Sequence, residues 1–341
     1  MKRIRTKEAV GHVLCHDMTQ IIPGVVKDAR FRKGHVVTEE DIPVLLSMGK
    51  EELFVWEKEE GVLHENEAAQ ILYDICASEY MHPSAIKEGK ITILADVDGL
   101  LQIDVEKLRM LNSMGDIVIA ARHNFFPVKK DDPLAGTRVV PLLIAEEKMA
   151  RAKTLAAGGS VLSLHPYHHK KVAIITTGNE VYQKRIEDAF TPVVIHKLSE
   201  FDVEIMAHVS LPDDHERITK IILEQIEQGA DMVVCTGGMS VDPDDRTPLA
   251  IKNTGAQIIS YGAPVLPGAM FLLSYYNETI PVVGLPGCVM YAKRTIFDLV
   301  LPRLMADQRV NASDLAALGL GGLCLSCDTC IFPNCGFGAG A

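Results

Sequence analysis

The residues of this chain best equipped for chemistry fall into two groups. The first is a series of loops: Thr177-Gly178-Asn179-Glu180, Pro212-Asp213-Asp214, Thr236-Gly237-Gly238-Met239-Ser240, Asp242-Pro243-Asp244-Asp245-Arg246-Thr247-Pro248, Pro267-Gly268 and Gly284-Leu285-Pro286-Gly287. Paired glycines let backbone amides approach a ligand closely, and a turn of amides makes a nest for an anion. Carboxylates beside such a nest hold Mg²⁺, which bridges phosphate or oxyanion oxygens. The chemistry implied is that of a phosphorylated or oxyanion ligand with a divalent cation. Taken singly, each loop has a plainer use as a helix cap or a tight turn. Their order along one predicted sheet edge is what argues for a site.

The second group is Cys324-x2-Cys327-x2-Cys330-x4-Cys335, set among Gly319, Gly321, Gly322, Gly336, Gly338 and Gly340. Its spacing is near that of the bacterial ferredoxin run, except that the last gap is x4 and no Pro follows Cys335. A [4Fe–4S] cluster and a tetrahedral Zn²⁺ both suit four such thiolates. Without a secretory signal, a metal is favoured over a disulfide framework. The remaining cysteines, Cys15, Cys76, Cys235 and Cys288, are isolated in apolar surroundings and read as buried small hydrophobes.

These groups must be positioned by secondary structure. From residue 171 to 176 the chain is a continuous apolar run, as in a strand buried on both faces. Thr191-Pro192 suits the cap and first position of a helix reaching about Glu200. Residues 203–209 alternate, placing Val203, Ile205, Ala207 and Val209 on one face. Asp213 or Asp214 caps a helix with the stripe Ile218, Ile221, Ile222 and Ile226. Residues 232–235 form another buried strand, and Thr247-Pro248 opens a helix that ends at Gly255. A hairpin follows around Asn277-Glu278-Thr279, then a helix over 290–304. Alternating strands and helices predict a three-layer α/β/α domain with a mostly parallel sheet and ligands at the carboxyl ends of its strands.

Before it lies a smaller α+β region. Strands are expected at 10–14, 52–56, 91–95 and 117–121, and helices at 39–48 (capped by Thr38, with Gly49 beyond its end), 65–80 and 104–113. Gly158, Gly159 and the His165-Pro166-Tyr167-His168-His169 run read as a solvated linker rather than a metal site. The expected domains are thus 1–60, 61–165, 166–306 and a Gly/Cys-rich metal-binding tail over 307–341.

The chain has 341 residues, enough for two or three domains, with 48% hydrophobic and 23% charged residues and a single Trp. A net charge of −11 argues against a nucleic-acid surface, which would show a basic stripe. The charged start of the chain does not read as a signal peptide, and no apolar stretch is long enough for a membrane helix. A cytoplasmic protein is expected.

The loop set resembles the molybdopterin-binding domain shared by molybdopterin adenylyltransferases and molybdopterin molybdenumtransferases, over roughly residues 170–305. Thr177-Gly178-Asn179-Glu180 is similar to the transferase's Thr-Gly-Asp-Glu loop, and Pro212-Asp213-Asp214 to the Pro-Asp loop of both families. Thr236-Gly237-Gly238 is similar to the shared Gly-Gly turn, Asp245 with Thr247-Pro248 to the Arg-Asp-x-Thr-Pro segment of the adenylyltransferases, and Gly284-Leu285-Pro286-Gly287 to the Leu-Pro-Gly loop. The resemblance implies that Gly237, Gly238 and Ser240 hold the pterin phosphate. It implies Asp213, Asp242 and Asp245 for Mg²⁺ or adenylyl positioning, Glu180 near molybdate, and Thr177, Gly178, Asn179, Asp214, Thr236, Met239, Asp244, Thr247, Pro267, Gly268, Pro286 and Gly287 around the ligand. The implied activity is Mg²⁺-dependent molybdate insertion into adenylylated molybdopterin with release of AMP, by a homo-oligomer that serves a molybdoenzyme.

Departures from the transferase pattern keep two alternatives open. Cys288-Val289 stands where Asn-Pro is usual, Leu266 and Ala269 replace lysines around Pro-Gly, and the cysteine tail stands in place of a β-barrel. Asp98-Gly99-Leu100 is at best a remnant of an Asp-Gly-Tyr-Ala segment. One alternative is a non-catalytic cofactor carrier or sensor. The other follows from a resemblance to the competence-damage-inducible family, whose Asp-Asp-x-Thr spacing is met by Asp244-Asp245-Arg246-Thr247 and whose members hydrolyse nucleotides or nicotinamide derivatives.

Overall fold

The computed structural model describes residues 2–22, 26–55, 60–239 and 246–340. Ser240, Asp242, Asp244 and Asp245, all named above as site residues, lie outside the described residues. The chain divides into two compact units that alternate along the sequence: Met1–Asp96, Asp104–Ala121 and Asp131–Ser163 form one, and Val97–Ile103, Arg122–Lys130 and Leu164–Ala341 the other.

The first unit is α+β. A four-stranded antiparallel sheet runs in the order Met81–Pro83, Lys90–Ala95, Pro133–Val139, Ile117–Ala121. The expected strand at 10–14 does not form; isolated bridges from Val13 to Val36 and from Leu14 to Val55 are found there instead. The helix expected at 65–80 ends at Cys76, and the one at 39–48 covers only Asp41–Ser47. In the latter Thr38 does not cap by its own oxygen. Instead Asp41 Oδ2 accepts the Thr38 amide at 2.8 Å and its hydroxyl at 2.9 Å.

The second unit carries the predicted sheet. Its strands are β1 (Lys170–Thr177), β2 (Val203–Leu211), β3 (Met232–Thr236), β4 (Gln257–Tyr261), β5 (Leu272–Tyr276) and β6 (Ile280–Leu285), in the spatial order β2-β1-β3-β6-β5-β4. The pairs β1–β2, β1–β3 and β3–β6 are parallel, and β5 runs antiparallel to both β6 and β4. Because successive side chains alternate, the central strands feed both faces. Val172, Ile174, Met232 and Val234 enter one core, while Ala173, Ile175, Val233 and Cys235 enter the other.

Helices cover each face. α1 (Phe190–Leu198) and α4 (Ile296–Met305) pack on the first through Val194, Leu198, Phe297 and Leu301. α2 (His215–Glu227) and α3 (Thr247–Asn253) close the second through Ile218, Ile222, Ala250 and Ile251. This is the three-layer architecture expected.

Three local expectations are corrected. Strand β2 does not keep one face throughout: its pairing with β1 skips Met206, since Val172 pairs with Ile205 and Ala173 with Ala207. Such a bulge reverses the alternation, so Val203 and Ile205 pack on one core and Ala207 and Val209 on the other. The helix expected at 290–304 begins only at Ile296, because Thr295 and Asp298 form a capping box there, after a 3₁₀ turn over Gly287–Met290. The histidine run is a connection only in part: Leu162–Pro166, with His165 and Pro166, is a strand of a separate three-stranded sheet with Gly99–Ile103 and Phe126–Val128, while residues 167–169 link it to β1.

Candidate functional site at the carboxyl edge of the parallel strands

Strands β1, β2, β3 and β6 run parallel, so their carboxyl ends share one edge, and the loops after Thr177, Leu211, Thr236 and Leu285 emerge there. Hydrogen bonds draw the first three together. The Gly178 amide donates to Leu211 O at 3.2 Å, and the Asn179 amide to Asp213 Oδ2 at 2.9 Å. Asp213 therefore braces the Thr177–Glu180 loop, while Asp214 takes the Glu216 and Arg217 amides at 3.0 and 3.2 Å and caps α2. Glu180 is exposed at this edge.

The Gly237-Gly238 turn is built against the same loop. Both glycines have positive φ, 84° and 52°. A Cβ on Gly237 would overlap the Thr177 carbonyl oxygen, so only glycine lets the two loops meet. The buried Thr247 hydroxyl donates to Gly237 O at 2.9 Å and lies 3.0 Å from Thr177 Oγ1. A hydroxyl carries one proton, so Thr177 is the donor to Thr247. Thr247 thus ties the two loops together as a strut. The helix it opens has Arg246 at its cap position and Pro248 in its first turn.

Other expected ligand residues sit below or beside this edge. Met239 is buried over Gly284, where a Cβ would stand 2.5 Å from its Cε, and its carbonyl accepts the Tyr261 hydroxyl at 3.0 Å. Thr236 is buried, with its hydroxyl donating to Thr176 at 3.3 Å. Pro286 and Gly287 continue directly from β6 at the shared edge. Pro267-Gly268 is placed elsewhere: Pro267 O accepts the Ile296 amide at 3.2 Å, Gly268 packs against Ile296, and Pro267 lines a cavity with the cysteine tail. Asp98 binds the Lys130 amide at 2.8 Å, and Gly99 opens a strand, so that remnant serves the smaller sheet.

Sequence reasoning missed a polar cluster directly beneath the edge. Thr191 Oγ1 donates to Asp188 Oδ2 at 2.5 Å and lies 2.8 Å from His208 Nε2 and 3.0 Å from Thr176 Oγ1. His208 Nε2 is also 3.3 Å from Asp188 Oδ2. Thr191 was expected to cap α1, but Asp188 does so, accepting the amides of Phe190 and Thr191 at 2.9 and 3.0 Å. That frees Thr191 to turn inward. Burial pushes the Asp188 carboxyl up, yet the Thr191 hydroxyl, the two amides and His208 outweigh it and hold its pKa below the ordinary carboxylate value. The one sequence signal was the occurrence of Thr176 and His208 in otherwise apolar or alternating strands.

The donor chemistry of the edge suits a hard cation, with carboxylate oxygens on Asp213 and Glu180. Among the described residues no three acidic, histidine or cysteine side chains gather around one ion position.

Residues 173–306 match the family model described as a probable molybdopterin binding domain, and residues 3–57 match a domain of unknown function. The molybdopterin adenylyltransferase of Pyrococcus furiosus is 30% identical over 137 residues, covering 36% of this chain and 80% of that protein. The chain belongs to the molybdopterin-binding family. Among other family relatives, a molybdopterin molybdenumtransferase of Synechococcus elongatus is 27% identical over 185 residues, 51% of this chain; the match spans 46% of the relative's own length. A CinA-like protein of Thermosipho melanesiensis is 28% identical over 112 residues, 33% of this chain and 28% of its own. The solved structure of a molybdopterin biosynthesis enzyme from Thermus thermophilus, 22% identical, covers 40% of this chain and 91% of its own, with a TM-score of 0.34. The chain spans less than half the length of the molybdenumtransferase and CinA-like relatives that it matches. No helix among the described residues is long and apolar enough to cross a membrane.

Proposed function

We propose that this protein is a cytoplasmic molybdopterin molybdenumtransferase, which inserts molybdate into adenylylated molybdopterin and releases AMP in a Mg²⁺-dependent reaction. The observation that carries this reading is the junction of three loops through Thr177, Gly237 and Thr247 at the carboxyl edge of the parallel strands. Such an edge is where open α/β sheets take their ligands.

Each residue has a part in the proposed reaction. The Gly237-Gly238 turn, with no side chain to obstruct it, receives the phosphate of the pterin together with Ser240. Asp213, which already fixes the Asn179 amide, keeps the Thr177–Glu180 loop at a set distance from that turn. Asn179 and Glu180 then face the molybdate. Asp242 and Asp245 supply the carboxylates for Mg²⁺, whose charge offsets that of the phosphoanhydride. Burying Thr247 and Met239 beneath the turn removes slack from the site, so the reacting groups are held rather than gathered.

One observation favours a carrier as the second reading. At Leu266, where the transferases place a lysine, the backbone instead docks the tail: the Leu266 amide donates to Gly322 O and its carbonyl accepts the Cys324 amide, each at 2.8 Å. The deciding experiment measures AMP release from adenylylated molybdopterin, with and without molybdate and Mg²⁺. Molybdate-dependent multiple turnover, abolished by Asp245→Ala, is the expected result. Binding without release favours the carrier. No binding, with hydrolysis of nucleotides instead, overturns both in favour of CinA-like chemistry.

A further inference from the structure

The proposed reaction makes no use of the four tail cysteines, yet the tail is not loose chain. Leu323 forms a parallel bridge with Leu266, the Gly338 amide donates to Gly321 O at 3.0 Å, and Phe337 is buried in the main core. Cys324 and Cys335 pack at the border of that core, whereas Cys327 and Cys330 are exposed. All four line one cavity of about 760 Å³, whose apolar wall includes Leu325, Ile331, Phe332 and Phe337.

We propose that this cavity is an iron–sulfur site, in which Cys324, Cys327, Cys330 and Cys335 each bind one iron of a [4Fe–4S] cluster. The room in the cavity favours a cluster over a single ion. A structural zinc needs four sulfurs converging on one point at about 2.3 Å. A cubane takes one thiolate at each of its separate irons, and a cavity of about 760 Å³ lined by all four cysteines has space for it.

The wall also suits the charge. A [4Fe–4S]²⁺ core with four thiolates carries a net negative charge, and Lys293 and Arg294 both line the cavity. Lys293 Nζ donates to the carbonyls of Cys327 and Asp328 at 3.3 and 2.6 Å, which fixes the loop bearing the exposed thiols. The Arg294 guanidinium stacks 4.9 Å from the centre of the Phe332 ring and is tied to Asp298 at 2.9 Å. The apolar wall limits water around the sulfurs, one of the factors that set a cluster's potential. Loading needs no redox step: the preformed core exchanges four carrier thiolates for the four cysteine thiolates, and the four protons released by the cysteines pass to those leaving thiolates.

The test uses the full chain purified without oxygen and incubated with a synthetic [4Fe–4S]²⁺ cluster ligated by small thiolates. Iron, acid-labile sulfide and zinc are then counted per chain after desalting. About four iron and four sulfide per chain are expected, as one cubane requires. The double variant Cys327→Ser/Cys330→Ser is expected to lose both to background, while Ser326→Ala, on the same cavity wall, loads fully. Since Cys327 and Cys330 are exposed, a circular dichroism spectrum matching the parent shows that the loss is of ligands and not of fold. The proposal is overturned by one zinc without sulfide, by iron at background in the parent chain, or by undiminished loading of the double variant.

Discussion

The hydroxyls of Thr177 and Thr247 meet at 3.0 Å across 70 positions of sequence, and through Thr247 the contact extends to the Gly237 carbonyl. This short chain of hydrogen bonds joins the end of β1, the glycine turn after β3 and the first residue of α3. Because Thr247 is fully buried, water cannot replace what it offers.

Replacing Thr247 by Val keeps the shape but strands the Thr177 hydroxyl and the Gly237 carbonyl. A loss of about 1–3 kcal/mol in unfolding free energy is expected, with a larger proportional loss of AMP release, and Thr247→Ser should recover most of both. Urea denaturation and the release assay check it. Equal stability of the Val and Thr forms would show that the strut is unnecessary.

Gly237→Ala strikes the same junction from the backbone. The left-handed conformation alone costs about 1–2 kcal/mol for a residue with a Cβ, and the overlap with the Thr177 carbonyl adds to it. The turn must shift, so binding of adenylylated molybdopterin, followed by calorimetry, is expected to weaken even where the variant stays folded. Unchanged affinity would mean that the turn does not touch the ligand.

Acid should reveal the Asp188 cluster. The folded-state pKa of Asp188 is depressed, so its contribution to stability is present above the unfolded value, about 3.9 for Asp, and is lost as the pH falls through the lower folded value. Asp188→Asn should therefore be less stable than the parent at neutral pH, the gap narrowing below about pH 4. Denaturation curves at a series of pH values measure this. A gap that stays constant into acid would place the effect in packing rather than in the charge.

Lys197 and Asp298 form a buried ion pair, with Lys197 Nζ 2.8 Å from each carboxylate oxygen. Removing one partner leaves the other charge buried and incompletely compensated, so Lys197→Met is expected to cost about 3–5 kcal/mol. By contrast Lys220, exposed and 3.6 Å from Glu224, should contribute at most about 1 kcal/mol. Thermal or urea unfolding of Lys197→Met and Lys220→Ala side by side tests the contrast.

The parallel sheet was legible in the sequence because its central strands carry their signal locally. Residues such as Val172–Ile175 and Met232–Cys235 are buried on both faces, so an unbroken apolar run identifies them. The strand-end loops were legible through their glycines. The bulge at Met206 was not, since a register shift is a relation between two strands and leaves the spacing within either one unchanged. Nor was the inward turn of Thr191, which depends on Asp188 taking over the cap from three residues away. Cys288 was expected to be buried but is only half so; Cys235 is fully buried as expected, and burial pushes its thiol up to about 12. The strand over Leu162–Pro166 escaped notice because its partner, Gly99–Ile103, lies far away in sequence.

The alternation of the two units along the chain has a practical corollary. A polypeptide started at Leu164 would omit Gly99–Ile103 and Phe126–Val128, and would leave the remainder of Leu162–Pro166 as a bare strand edge. Such an edge is a template for pairing with other chains, so truncated expression products should clump where the intact polypeptide does not. No single cut separates this protein into two self-sufficient pieces, and gene fusions or deletions that treat residue 164 as a boundary remove part of what they mean to keep.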